Sequence, residues 1–135
     1  MTSSLATLVQ ARAIRRRLLE RVADTEDRHL TVPAGPAGWQ PYMDGVQIKV
    51  LHENEGILSY LLRIEPGARI EAHRHPVDEE CVVLEGVLKV GSRTEVGPGG
   101  YHLARAGSLH ASIASETGAT IFLRGAEPHM DQLLV

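Results

Sequence analysis

Gly67-Ala-Arg-Ile-Glu-Ala-His73-Arg-His75-Pro-Val-Asp-Glu79-Glu-Cys81-Val-Val83-Leu-Glu-Gly86 is the stretch on which the reading of this chain turns. His73 and His75 lie two apart, a spacing that puts both imidazoles on one face of a strand. Pro76-Val77-Asp78 breaks that strand, and Glu79 opens the next, so its carboxylate can fold back towards the rings. A later strand could bring His110 to close the group. Neutral imidazoles with one carboxylate suit Zn, Fe, Mn, Ni or Cu and are too rich in nitrogen for Mg or Ca. Spacing alone leaves the metal open, because histidine pairs of this kind are common on strands.

Working outward, the texture is one of short strands. Val46, Ile48 and Val50 alternate with Gln47 and Lys49, which is strand periodicity. Ile57 to Glu65 is a longer apolar strand ending at Pro66-Gly67. Glu80 to Leu84 and Val87 to Val90 flank Glu85-Gly86 and read as a hairpin. Gly97-Pro98-Gly99-Gly100 is a turn, and Tyr101 to Ala104, His110 to Ala114 and Ala119 to Arg124 are three further strands. Short strands separated by Gly and Pro argue an all-β sandwich or barrel. Upstream, residues 4 to 23 form one helical segment. Its apolar residues run from Leu5 to Val22, and Arg12, Arg15, Arg16, Arg17 and Arg21 crowd the rest, with Ser3 and Ser4 placed to cap its start. Pro33-Ala-Gly-Pro-Ala-Gly38 is a linker by composition. The expected division is an N-terminal helix and extension over 1–32 and a β-domain over 33–135, with residues 128 to 135 as an edge strand or docked tail.

Composition sets the limits. A chain of 135 residues with 43% hydrophobic and 23% charged residues can bury one ordinary core. The net charge of −3 implies no nucleic-acid face. A single cysteine, Cys81, excludes a disulfide framework and suits a reducing compartment. The first residues lack a basic, apolar leader, and no run approaches the ~18 apolar residues of a membrane span. The expectation is a cytoplasmic protein without membrane contact. No Gly-x-Ser-x-Gly elbow or phosphate-binding loop occurs.

The quoted stretch fits the pattern G-x5-H-x-H-x3-E-x6-G, the first motif of the cupins. A degenerate second motif, G-x5-P-x-G-x2-H-x3-N, falls on Gly99, Arg105, Gly107, His110 and Ala114, with Arg105 in place of proline and Ala114 in place of asparagine. The chain therefore resembles a cupin over about residues 46 to 125. The resemblance implies a double-stranded β-helix, or jelly-roll barrel. It also implies one divalent transition metal ion (Zn, Fe, Mn or Ni) held by His73, His75, Glu79 and His110. The text around His73-Arg-His75-Pro and Gly107-Ser-Leu-His110 looks like that of ChrR-like cupins, the type attached to certain zinc-containing anti-sigma factors. The arginine-rich helix is similar to the segment joining the two parts of such proteins. No histidine or cysteine precedes His29, so the zinc motif of an anti-sigma domain has no counterpart in this sequence.

Parity places Cys81 and Val83 inward with Glu79. Tyr60, His52 and His102 are the other candidate pocket residues: Tyr60 shares parity with Leu58 and Leu62, and His52 with Val46, Ile48 and Val50. Glu80, Arg63 and Arg69 point outward, and His29 and His129 are solvated. Two function classes follow. One is a ligand-binding or sensing module of ChrR-like type, with a small-molecule ligand, a protein partner on the N-terminal helix and a homodimer through exposed strand edges. The alternative is a mononuclear non-haem iron dioxygenase acting on a small organic substrate. Whether the chain is an enzyme stays open, since no second catalytic acid or base is legible.

Overall fold

The computed structural model describes residues 2–26 and 28–126, so His129 and the expected tail lie outside the described residues. The chain divides into two compact units, one up to Ala34 and one from Gly35. The first is a single helix, α1 (Thr2–Thr25). It begins at Thr2, so Ser3 and Ser4 lie inside its first turn rather than before it. Its large apolar side chains from Leu5 to Val22 stand exposed. No described helix is long and apolar enough to cross a membrane.

The described residues of the second unit form twelve strands. They are β1 (Trp39–Met43), β2 (Val46–Asn54), β3 (Ile57–Ile64), β4 (Arg69–Ile70), β5 (His73–Arg74), β6 (Glu79–Gly86), β7 (Leu88–Val90), β8 (Thr94–Val96), β9 (Tyr101–Ala104), β10 (Leu109–His110), β11 (Ile113–Ala114) and β12 (Ala119–Ala126). A six-stranded sheet runs β1-β2-β3-β12-β6-β9, a four-stranded sheet runs β4-β11-β7-β8, and β10 and β5 form a small ribbon. The jelly roll is thus built from separate antiparallel sheets rather than one closed ring of hydrogen bonds. Alternation along β3 and β12 buries Leu58, Tyr60, Leu62, Ile64, Ile121 and Leu123 against Ile70, Leu88, Val90 and Ile113 of the smaller sheet. This two-faced core is what period-two patterning produces.

Two sequence expectations change. The stretches flanking Glu85-Gly86 do not form a hairpin. β6 pairs with β12 and β9, whereas β7 pairs with β11 and β8. Gly86 is a corner between sheets, at φ 76°, and it packs on the backbone at Gly118 and Ala119. The expected strand His110 to Ala114 also divides, with β10 in the ribbon and β11 in the four-stranded sheet.

Candidate metal centre

The ribbon β5·β10 assembles the site. Its register sets His73 directly opposite His110, and the two rings stack with centroids 5.0 Å apart. Both rings are oriented by the backbone. Nδ1 of His73 donates to the carbonyl of Glu71 at 2.7 Å, and Nδ1 of His110 donates to the carbonyl of Ala111 at 2.6 Å. A carbonyl can only accept, so the proton of each neutral ring sits on Nδ1 and Nε2 keeps its lone pair.

His75 lies one residue past β5, and Glu79 is the first residue of β6. His75 Nε2 is 2.8 Å from His73 Nε2 and 3.0 Å from Glu79 Oε2. The ligating atoms of His73, His75 and Glu79 all lie within 4.8 Å of one another, and all three side chains are buried. His110 stands just beside this triad, its ring centroid 5.8 Å from that of His75.

Polar bookkeeping argues for a cation. Nδ1 of His75 is buried without a hydrogen-bond partner. A proton on Nδ1 is therefore an unpaired buried donor, and Nε2 then joins two other acceptors about one point. A proton on Nε2 leaves a buried lone pair facing nothing. A cation at the convergence would be shared by Nε2 of His73, Nε2 of His75 and Oε2 of Glu79, with the His75 proton left on Nδ1, and that donor set fits a divalent transition ion.

The charges agree. Burial, followed by the neighbouring His73 and His110, lowers His75 to about 4. Burial likewise lowers His110. Burial raises Glu79 to about 7, while a hydrogen bond from Tyr60 works in the opposite direction. Neutral imidazoles are the ligating form, and a desolvated carboxylate binds a cation more strongly than it binds water.

The remaining sequence candidates fall in different places. Tyr60 is 1% exposed and reaches Glu79 from β3, supporting the carboxylate from behind. Cys81 is buried on the same face of β6, and burial, with the charge of Glu79, pushes its thiol up to about 12. His102 lies opposite Cys81 in the β6·β9 register, and its ring meets that of His110 edge to face at 5.3 Å. His52 is not a pocket residue. A bulge between Val50 and His52 shifts β2, so the parity that holds at Val46 is lost and His52 is exposed. Earlier in the strand Lys49, expected outside, is 4% exposed.

Three contributors were not evident from sequence. Tyr42 on β1 has its hydroxyl raised by burial and then by the charge of Glu79; its signal was the aromatic pair Trp39 and Tyr42 ahead of Asp44-Gly45. Asp78 Oδ1 accepts from Ala106 N at 2.7 Å, and Arg74 donates to the Gly107 carbonyl at 3.0 Å. With Gly107 N donating to the His75 carbonyl at 2.9 Å, these bonds clamp the 105–108 turn to the ligand loop.

Known proteins share this architecture. The fold is similar to an acetylacetone dioxygenase from Acinetobacter johnsonii, with TM-score 0.68 and 13% identity over 82% of this chain and 85% of that one. It is similar to KdgF from Halomonas sp., with TM-score 0.58 and 21% identity over 67% and 88%. It is also similar to the anti-sigma ChrR, solved with Rhodobacter sphaeroides SigE, with TM-score 0.61 and 19% identity over 81% and 65%. At these identities the likeness is one of fold. No curated protein sequence matches. Residues 27–127 match the ChrR Cupin-like domain, and the chain belongs to that cupin family.

Proposed function

We propose that this protein is a metal-binding sensing or regulatory cupin whose ion is held by His73, His75, Glu79 and His110. The observation that supports this most is the convergence of buried acceptors around His75 Nε2. His73 and His110 are fixed as Nε2 ligands by their Nδ1 hydrogen bonds, and Tyr60 steadies the carboxylate. When bound, a divalent transition ion supplies Lewis acidity and, for iron, redox chemistry. The reading includes a homodimer through exposed sheet edges, a cytoplasmic setting and a protein partner for α1, whose exposed apolar side chains and arginines suit an acidic, amphipathic surface. The test is the metal content of protein purified anaerobically, followed by competition titration. Near-stoichiometric zinc or iron, reduced by His75→Ala, supports the site. No uptake with excess metal overturns it.

A second reading is iron-dependent oxidative cleavage of a small organic substrate. It draws on the likeness to the acetylacetone dioxygenase. Oxygen uptake on adding acetylacetone to iron-loaded protein, abolished by His110→Ala, supports it. Iron-loaded protein that consumes no oxygen with a panel of diketones, thiols and phenols counts against it.

A further inference from the structure

Beside the metal residues lies a cleft of about 430 Å³, within the usual range for small-molecule pockets. It opens between β9, the edge of the six-stranded sheet, and the β7–β8 edge of the smaller one. Its floor is Val90, Ala104 and His110, all buried, and its rim includes Arg105, His102 and Leu109. His110 is shared. Its Nδ1 is committed to the Ala111 carbonyl, and its ring separates the cleft from His73.

The lining of this cleft carries basic ionisable groups alone. No Asp or Glu is among the lining residues. Two carboxylates stand nearby but outside the lining: Asp78 Oδ1 accepts from Ala106 N, and Glu80 Oε1 accepts from the Tyr101 hydroxyl at 2.8 Å, a hydroxyl that also feels the Arg105 charge. The Arg105 guanidinium has no ion-pair partner among the described residues. Arg105 nevertheless sits on a firm base, because its carbonyl accepts from Ser108 N at 3.1 Å and from Ser108 Oγ at 2.6 Å. It is also the residue that stands where the motif has proline. The rigidity a proline would give comes here from hydrogen bonds, and the position is free to present a cation.

We infer that this cleft binds a small organic carboxylate, with Arg105 and His102 holding the carboxylate and Val90, Leu103 and Leu109 enclosing its apolar body. Guanidinium and carboxylate match as a two-bond fork, and an imidazole N–H adds a third donor. An ion on the far side of His110 adds positive charge behind the floor; in this the inference rests on the proposed metal centre. It gives that centre a ligand class, a carboxylic acid, and a residue that selects it.

The test is calorimetric titration of zinc-loaded and metal-free protein with benzoate and with benzamide, its neutral isostere. Benzoate binds and benzamide binds at least about tenfold more weakly, the scale of a charge-assisted hydrogen bond. Arg105→Gln loses about tenfold for benzoate and His102→Asn loses severalfold, with zinc uptake kept in both. Arg63→Gln, over Trp39, changes nothing. Equal binding of benzoate and benzamide, or benzoate binding unchanged by Arg105→Gln, overturns the inference. Protein that takes zinc but no benzoate overturns the cleft and leaves the metal centre standing. Protein that takes benzoate but no zinc keeps the cleft and overturns the metal centre.

Discussion

Replacing Tyr60 by Phe removes one hydroxyl from the core and leaves the ring in place. That hydroxyl faces Glu79, a carboxylate 4% exposed, and favours its charged form. Glu79 ionises near 7 in the metal-free fold, against about 4.3 in an unfolded chain. Its folded value is raised, so its contribution is fully present below about 4.3 and is lost as pH rises through 7. His75, lowered to about 4, runs the other way, gaining stability as pH rises towards about 6.5. The two nearly cancel between them, so a pH profile of the wild type alone is uninformative. The difference between Tyr60→Phe and wild type isolates the hydroxyl, because His75 is common to both. At pH 5, where Glu79 is neutral, only an uncharged hydrogen bond is lost, at about 1 kcal/mol. At pH 9 the carboxylate is ionised and lacks its donor, and the penalty rises to about 3 kcal/mol. Urea unfolding of metal-free protein at both pH values measures this. An equal penalty at pH 5 and pH 9 would refute the claim that Tyr60 supports the charge of Glu79.

Metal uptake should release one proton below pH 7, since Glu79 must ionise to ligate. Apparent affinity then rises about tenfold per pH unit between pH 5 and 7 and levels above it; a flat competition titration contradicts the assignment. Gly86→Ala should cost more than about 3 kcal/mol, because φ is positive and the new methyl presses into the Gly118 carbonyl oxygen and lies 2.9 Å from Ala119 Cα. Gly67→Ala has the same sign of φ with nothing within 4 Å and should cost about 1 kcal/mol; similar urea midpoints for the two would count against the corner. Asp78→Ala should lower stability by about 1 kcal/mol and weaken zinc binding, while Asp78→Asn, which keeps an acceptor for Ala106 N, should recover most of both.

What could be read from the sequence was local chemistry at short spacing. His73, His75 and Glu79 are separated by one turn, so their proximity needs no knowledge of the rest of the fold. The readings that changed depend on distant packing or on backbone irregularity. A glycine between two apolar runs signals a hairpin and a sheet-to-sheet corner equally well. At Gly86 the choice is made by the backbone at Gly118, remote in sequence. The parity of β2 fails at His52 because a bulge adds a residue, and neither Val50 nor Leu51 marks it. β1 was hidden by Pro41, which argues against a central strand but is tolerated here because β1 is an edge. β8, Thr94 to Val96, is too short and polar to show periodicity.

The same distinction explains why the two motifs must be clamped. His73 and His110 come from segments 37 residues apart and meet in a ribbon with only two paired positions on each strand. A ribbon that short has little stability of its own. Its register is held from outside by Arg74 on the Gly107 carbonyl, Gly107 N on the His75 carbonyl and Asp78 on Ala106 N. Each of these bonds joins the first motif to the turn that carries Arg105. A ligand held by Arg105 and an ion held by His110 therefore press on the same few hydrogen bonds from opposite sides. The two occupants need not touch to influence one another. Both depend on this one turn, so loosening it with Asp78→Ala should weaken zinc and benzoate binding together.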